Sequence, residues 1–295
     1  MHPSVDPLYF VLAVAGASIA LGYLNGRYAS PVMAIFNRWL RWISFSLCGA
    51  FVSQELELID RPFWVLSIGF FLVWFLIDTA KNWVAIYALS QSPMPLFPRY
   101  ALNLVGDEWP TQPRILELRD WFRAEKYTQI QALKAEVGGG IYLRVSIYQD
   151  PLGVTRVQVM FVPQANGAVA VCGVISTQTA SGQRFITDNL YLPFGGFYPE
   201  NWSVTRKPWT RNLPRLIETH QKRIAESGDI PVPWEGEPLA DLNQQQFLLE
   251  QINTELGFLH PHAEREEFGK MTSEGRYRVW IEIWLLNYFG ITPKH

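Results

Sequence analysis

Residues 62–90 read PFWVLSIGFFLVWFLIDTAKNWVAIYALS, and this stretch decides how the rest of the chain is interpreted. Residues 62–77 carry no charged side chain, whereas Asp78 and Lys81 follow in the second half. At 1.5 Å per residue, a helix over the whole stretch is about 43 Å long, which exceeds a hydrocarbon core of roughly 30 Å. The pattern therefore predicts a transmembrane helix whose first half spans the bilayer and whose second half emerges as a stem.

Two apolar segments precede this stretch and extend the prediction to a three-helix transmembrane anchor over residues 1–90. Residues 8–24 form an uncharged run at the short end of the spanning range. Residues 32–54 are long enough to span, but they contain an asparagine and two arginines. This segment either crosses, with its arginines reaching the near interface, or lies in the interface as a hairpin or helix. We favour a crossing because residues 42–52 are too apolar to be left in water.

The positive-inside rule is satisfied by both alternatives, so the number of crossings decides the orientation of the anchor. With three crossings, the acidic loop at Glu55, Glu57 and Asp60 faces outward and the basic side chains face the cytoplasm. With two crossings, the rest of the chain is exported instead. The prediction is a protein integral to a membrane, the plasma membrane or the inner membrane of a bacterium, with its soluble domain in the cytoplasm. The predicted partners are the lipid bilayer and an unidentified protein.

The overall charge limits the classes of function. Only 18% of the residues are charged, against about 25% in typical soluble domains, and the deficit lies in residues 1–90. The net charge of −2 argues against a nucleic-acid binder, which depends on attraction to phosphates. Cys48 and Cys172 are too few for a disulfide framework or a cysteine-based zinc site. No cofactor is predicted.

The remainder of the chain has the sequence pattern of a linker followed by a soluble domain. Residues 91–106 are predicted to be a proline-rich linker, because three prolines in residues 92–98 prevent a regular helix. Residues 107–295 are predicted to form an α+β domain, an antiparallel four-stranded meander covered by helices. The predicted strands are 141–148, 154–162, 168–176 and 184–192, with a turn at Asn166-Gly167 and a short edge strand at 203–206. The predicted helices are 113–137, 213–227, 238–256 and 274–289, the first ended by Gly138-Gly139-Gly140.

Four charged residues in the predicted anchor are candidates for function. Arg38 and Arg41 are three positions apart, and so are Asp78 and Lys81, so each pair can share one helix face. The two arginines could meet Asp78 at the same depth and join the helices, or they could bind anionic lipid headgroups. No catalytic, cofactor-binding or metal-binding residue is predicted with them.

Two histidine sites are candidates for reactive groups, and the sequence favours a structural role for both. His260 and His262 lie near Glu264, Glu266 and Glu267, but the spacing matches no zinc motif, so a solvated loop is the preferred interpretation. His220 lies on the apolar face of a predicted helix. A general base there would need a partner that the spacing does not supply, so a hydrogen-bonded core histidine is preferred.

Aromatic residues near the end of the chain allow two interpretations each. The loop containing Phe194, Phe197, Tyr198 and Trp202 could line a ligand pocket, but capping the sheet edge is the commoner role. The helix 274–289 carries tryptophans and tyrosines on one side. It is interpreted as a core helix covering the sheet, with an interfacial helix on the membrane as the alternative.

Three classes of function remain open. The favoured class is a membrane-tethered, non-enzymatic interaction or accessory domain, because no catalytic motif is present. The second is a domain that binds a small ligand or a lipid between sheet and helices. The third is an enzyme whose site is assembled from scattered residues.

The predicted orientation can be tested with reporter fusions that end after Ser90. A reporter that is active only in the cytoplasm should be active there, because three crossings place the end of residues 62–90 on the cytoplasmic side. A matched fusion after Asp60 should be inactive. Activity from a reporter that works only outside the cytoplasm, fused after Ser90, would contradict the three-crossing topology.

Overall fold

The computed structural model describes residues 7–28, 30–106, 109–138, 140–163 and 169–292. The chain forms two compact units. The helical unit contains the described residues up to Ala88 together with Trp280–Ile291, and the sheet unit contains Leu89–Val279. The proposed division into anchor, linker and domain at residues 90 and 106 stays a prediction. The turn predicted at Asn166-Gly167 lies outside the described residues.

The helical unit contains three N-terminal helices. They are α1 (Pro7–Tyr28), α2 (Pro31–Glu55) and α3 (Phe63–Gln91), and the unit also includes the second half of α8 (Ser273–Phe289). Two of these helices, over Leu8–Gly26 and Phe63–Gln91, are long and apolar enough to cross a membrane, and few of their residues are buried. A helix that shows its apolar side chains to the outside is expected in lipid rather than in a soluble core.

The predicted three-helix anchor is not confirmed, because α2 is not among the helices apolar enough to span. Its 25 residues have sufficient length. Asn37, Arg38 and Arg41 lower its hydropathy, since each polar or charged group is costly in hydrocarbon. What the structure establishes is one continuous helix at this place, and whether it crosses stays a prediction.

An aromatic cluster forms the interior of the helical unit. Trp42 is 2% exposed. Its ring stacks on Phe71 at 4.4 Å and on Trp39 at 5.3 Å, and it meets Tyr288 edge-on at 5.1 Å. Its Nε1 donates to the Phe71 carbonyl at 2.9 Å, and Trp39 Nε1 donates to the Tyr288 carbonyl at 2.8 Å. The second half of α8 therefore packs on α2, and the interpretation of this whole helix as a cover for the sheet is wrong for that half.

The sheet unit contains an eight-stranded sheet. The strands are β1 (Tyr100–Leu102), β2 (Thr128–Gly138), β3 (Ile141–Gln149), β4 (Thr155–Pro163), β5 (Val169–Thr179), β6 (Arg184–Asp188), β7 (Trp202–Arg206) and β8 (Pro231–Val232). Strands β1 to β7 are neighbours in chain order, and β8 pairs with β5. All pairs are antiparallel except β6 with β7, which run parallel. The unit is therefore mixed α and β, but the four-stranded meander is not confirmed, and the predicted linker contributes β1.

The helix predicted over residues 113–137 is wrong in its second half. Helix α4 (Pro113–Ala124) ends before Lys126, whose positive φ of 60° turns the chain, and β2 follows. Apolar residues in β2 recur three and four positions apart, as in a helix, because a register shift between Gln129 and Gln131 interrupts the strand alternation. Leu133 and Ala135, two apart, are the residues that point inward.

The run of glycines after β2 has a different role from the one predicted. Gly138 and Gly140 have positive φ values of 112° and 75°, and the chain between β2 and β3 reverses direction there. The glycines thus close a hairpin and do not end a helix, because a tight reversal requires a backbone conformation that residues with a Cβ rarely adopt.

Helices cover both faces of the sheet. On one face α4 and α5 (Leu213–Ser227) pack on β4 and β5, and on the other α6 (Pro238–Glu255) packs on β2 to β4. The first cluster contains Ile115, Phe122, Tyr148, Val157, Val159, Phe161, Ile175, Leu213, Leu216 and Ile217. The second contains Leu133, Val145, Ile147, Met160 and Leu242. A short 3₁₀ turn (His262–Glu264) and α7 (Arg265–Phe268) lead into α8. Because both faces are covered, polar side chains in the central strands are buried.

The assignment of β2 as a buried strand can be tested at Leu133, which is fully buried in the second cluster. We expect Leu133→Ala to cost about 3 kcal/mol, because it removes buried methyl groups and leaves a cavity. For a unit of this size, this cost lowers the melting temperature by roughly 6–12 °C. Leu104→Ala, at a site that is 89% exposed, is the control and should change it by less than about 2 °C. Equal effects of the two substitutions would contradict the assignment.

Candidate functional site

A cavity of about 300 Å³ lies between α6 and the sheet at the end of β5 and β6. Its lining is mostly polar: Gln178, Thr179, Gly182, Gln183, Arg184, Asn201, Trp202, Asp241, Gln244, Gln245 and Leu248. Gly182, Asn201 and Gln244 are exposed and form the mouth, whereas Arg184 and Trp202 are buried and form the floor. This volume is at the lower end of the range for small-molecule sites.

The strand register places two arginines on the floor side of the sheet. Arg156 in β4 pairs with Ser176 in β5, and Gln178, two residues further along β5, pairs with Arg184 in β6. Residues two apart share a face, and so do residues directly opposite each other, so Arg156 and Arg184 project from the same face. Trp202 of β7 is opposite Arg184 and therefore lies on the same face of the sheet as the two arginines.

One carboxylate, that of Asp241, lies close to both arginines. Asp241, in the first turn of α6, accepts a hydrogen bond from Arg184 Nη2 at 2.6 Å on Oδ1. Its Oδ2 accepts from Gln245 Nε2 at 2.9 Å and lies 3.9 Å from Arg156 Nη1. Arg156 Nη2 donates to the Gly236 carbonyl at 2.6 Å. The two guanidinium groups therefore share a single negative charge.

Several buried donors at this place have no hydrogen-bond partner. They are Nε and Nη1 of Arg156, Nη1 of Arg184, and Nε1 of Trp234. The side chains of Arg156 and Arg184 are only 6% and 10% exposed. A buried donor without a partner costs about 1–3 kcal/mol, and more when the group is charged. The arrangement is therefore costly unless an acceptor from outside the chain completes it.

Aromatic rings and charges set the electrostatics of the pair. The Arg156 and Arg184 guanidinium carbons lie 4.6 Å and 5.0 Å from the centre of the Trp234 ring, and Arg184 lies 5.4 Å from that of Trp202. Such cation–π contacts replace part of the lost hydration. Burial lowers the pKa of Arg156; Asp241 opposes that change and Arg184 adds to it. The site therefore has an excess of positive charge inside the protein.

His220 is a structural histidine in the sheet unit. It is fully buried on α5, with Nδ1 at 2.8 Å from the Thr187 hydroxyl and Nε2 at 3.0 Å from the Thr177 hydroxyl. Burial, followed by the positive charge of Arg223, lowers the pKa of His220 to about 3. The ring is therefore neutral at pH 7. Both of its nitrogens lie within hydrogen-bond distance of threonine hydroxyls, and His220 does not line the cavity.

The histidines at 260 and 262 each lie beside a different glutamate. His260 Nδ1 lies 3.2 Å from Glu264, and His262 Nε2 lies 3.3 Å from Glu250. Glu250 also forms salt bridges with Arg265 at 2.7 Å and with Arg99 at 3.2 Å. Within the described residues no group of three or more potential metal ligands comes together. Cationic neighbours surround Glu250.

The four candidate charges of the helical unit occupy different environments. Arg41 and Lys81 are exposed, whereas Arg38 and Asp78 are half-buried. Arg38 and Asp78 both lie close enough to the Tyr288 hydroxyl to act on it electrostatically. Asp78 also accepts a hydrogen bond from Asn82 at 3.1 Å. The roles predicted for these residues, in joining helices or binding lipid headgroups, stay predictions.

The aromatic residues that follow β6 do not all have the same role. Asn253 of α6 accepts from the backbone nitrogen of Phe197 at 2.7 Å and donates to its carbonyl at 2.9 Å, so it fixes the loop as a strand would. Phe194 and Tyr198 pack on each other at 4.8 Å. Trp202 alone of the four predicted aromatics lines the cavity.

The sequence did not reveal the arginine site, although one signal was present. Arg156 and Arg184 stand in strands otherwise rich in valine, isoleucine and phenylalanine. A charged residue at an inward strand position is unusual and indicates a paired or functional group. Asp241 lies 57 positions from Arg184 along the chain, and Gly236 lies 80 positions from Arg156. Only sheet register and helix packing bring these residues together.

The neutral state of His220 makes the stability of the sheet unit depend on pH. The pKa of His220 is lower in the folded state than the usual 6.5. The stability that depends on its neutral ring is therefore complete above pH 6.5 and is lost as the pH falls towards 3. The loss approaches about 1.4 kcal/mol per pH unit and is about 2 kcal/mol at pH 5. We expect His220→Gln, which cannot titrate, to show a flatter decline in melting temperature between pH 7 and pH 5. His262→Gln is the matched control, and identical pH profiles for wild type and His220→Gln would contradict the prediction.

The chain was also compared with known proteins. No protein-family model, curated protein or solved structure matches it. Function is therefore inferred from the side-chain chemistry of the cavity.

Proposed function

We propose that the chain is a membrane-anchored, non-enzymatic binding protein whose sheet unit takes a small polar ligand into the cavity between β5, β6 and α6. The observation that carries the proposal is the polar lining of this cavity, which includes the buried Arg184, the carboxylate of Asp241 and several amide side chains. Buried polar groups in proteins are nearly always hydrogen-bonded. A ligand with donor and acceptor atoms would bond to the polar side chains that line the cavity.

The lining favours a polar ligand over a lipid chain. Amide side chains at Gln178, Gln183, Asn201 and Gln244 offer both donors and acceptors, and Trp202 offers one flat apolar surface. A pocket for an acyl chain would instead be lined mainly by aliphatic side chains. Of the classes held open from the sequence, the cavity therefore supports small-ligand binding, restricted to polar ligands.

The two apolar helices support the anchoring part of the proposal. A binding domain tethered in this way samples the solution next to the membrane. We propose the plasma membrane, or the inner membrane of a bacterium, with the sheet unit on the cytoplasmic side. The charge pattern is compatible with this side if residues 32–54 cross, and the reporter fusions after Ser90 test it.

The binding proposal can be tested by blocking the cavity. Gln244 lies at the mouth on the exposed side of α6, so Gln244→Trp should fill the entrance without disturbing the core. Full-length protein is purified from its host membranes in mild detergent, and bound small molecules are released and identified by mass spectrometry. We expect a polar compound to co-purify with the wild type and to be reduced at least about tenfold in Gln244→Trp.

Gln251→Trp is the matched control, because Gln251 is also exposed on α6 but does not line the cavity. It should retain the compound at the wild-type level. The same small-molecule content in all three proteins, or none in the wild type, would contradict the proposed function.

A further inference from the structure

The charged side chains in the cavity lining compensate each other. Of the described residues that line the cavity, Arg184 and Asp241 are the ionised ones, and they form a salt bridge at 2.6 Å. The neighbouring Arg156 does not line the cavity, and its unpartnered nitrogens are buried, so its charge offers a ligand no contact. The wall therefore presents one cation already paired with one anion.

An ionic ligand is disfavoured by both members of this pair. The Arg184 side chain is only 10% exposed, and its Nη2 already donates to Asp241 Oδ1. An anion that approached Arg184 would lie beside the Asp241 carboxylate, and a cation that approached the carboxylate would lie beside Arg184. Charges of the same sign repel more strongly here than in water, because the protein screens them less. A neutral ligand avoids both repulsions.

Three amide side chains in the lining make no hydrogen bond within the described part of the protein: those of Gln178, Gln183 and Gln244. Two other lining amides are engaged, since Gln245 donates to Asp241 at 2.9 Å and Asn201 donates to the Gly182 carbonyl at 3.1 Å. An amide offers two donor hydrogens and one acceptor oxygen. A hydroxyl group also donates and accepts, so several hydroxyls on one molecule can pair with several such amides.

Asp241 and Trp202 complete the wall with an acceptor and an apolar surface. The Asp241 side chain is 20% exposed, and each of its oxygens accepts one recorded hydrogen bond, from Arg184 and from Gln245. A carboxylate oxygen has room for a second, and the ligand group that fills it must be a donor, as a hydroxyl is. The Trp202 ring offers a flat surface for the carbon–hydrogen face of a saturated ring.

We propose that the cavity binds the ring of a neutral sugar or cyclic polyol, an inference that rests on the proposed function and names its ligand class. The volume of about 300 Å³ lies at the lower end of the range for small-molecule sites, which suits one ring and not a chain of several. A free monosaccharide and the sugar headgroup of a glycolipid present the same hydroxyl groups. The mass of the compound released from the purified protein distinguishes these two sources.

Calorimetric titration of the full-length protein tests the ligand class with probes that differ in charge. The protein is kept in a polyoxyethylene detergent, because a detergent with a sugar headgroup would compete for the cavity. The neutral probes are glucose, galactose, mannose and myo-inositol, and the charged probes are gluconate and glucosamine. We expect one of the neutral probes to bind at least about tenfold more tightly than either charged probe, because each ion must lie beside a charge of its own sign.

Two substitutions at Gln183 make the test specific to the lining. Gln183→Leu keeps the size of the side chain but removes its hydrogen bonds, so it should weaken the tightest neutral probe at least about threefold. Gln183→Glu adds a negative charge and should raise the affinity for glucosamine relative to glucose at least about fivefold, a gain that misfolding cannot produce. Gln221→Leu and Gln221→Glu are the matched controls and should change neither value, because Gln221 is exposed on α5 and does not line the cavity.

The outcomes separate the ligand class from the proposed function. A neutral sugar or cyclic polyol released from the wild type, and reduced in Gln183→Leu, supports the class even where the released compound is not among the probes. A charged released compound, or one without hydroxyl groups, would overturn the class and leave the proposed function intact. Tighter binding of a charged probe than of every neutral probe, or neutral binding that neither Gln183 variant changes, would do the same. No released compound and no binding of any probe would overturn both.

Discussion

The sheet of the second unit is covered by helices on both faces, and this constraint governs the chemistry of every polar residue in its central strands. A polar group buried between sheet and helix must find a partner inside the protein, because water does not reach it. His220 meets this requirement with two threonine hydroxyls. Arg206 meets it with Asp188, the Leu192 carbonyl and the Tyr198 hydroxyl. These residues stabilise the fold and show no open bonding capacity of their own.

Arg156 and Arg184 differ from these residues in the same sheet. Their positive charges exceed the negative charge that faces them, and three of their nitrogens have no acceptor. An unpartnered buried donor also occurs elsewhere in the sheet unit, at Arg119 Nε, but at Arg156 and Arg184 such donors lie together, next to a cavity that Arg184 lines. The site is also accessible, since the cavity connects Arg184 with the exposed mouth at Gly182 and Gln244.

The helical unit follows a different constraint. Trp42 is enclosed by Trp39, Phe71 and Tyr288, so the interior depends on aromatic packing between α2, α3 and the second half of α8. The indole nitrogens of Trp39 and Trp42 each donate to a backbone carbonyl of another helix, which removes the cost of burying them. Helix α2 thus has one face bound to protein, and its polar residues need not all meet lipid.

The sequence by itself determined the features that depend on local composition. Residues 8–24 and 62–90 were identified as apolar helices because length and hydropathy need no knowledge of distant contacts. The helices α5 and α6 were also predicted, because their sequence patterns are local too. The strand at residues 128–137 was not predicted, because the spacing of its apolar residues suits a helix and a bulged strand alike. Pairing with β3 decides between the two. The arginine cluster was decided only by the tertiary structure: Arg156, Arg184 and Asp241 meet because strand register and helix packing bring distant residues together, and no local pattern encodes that register.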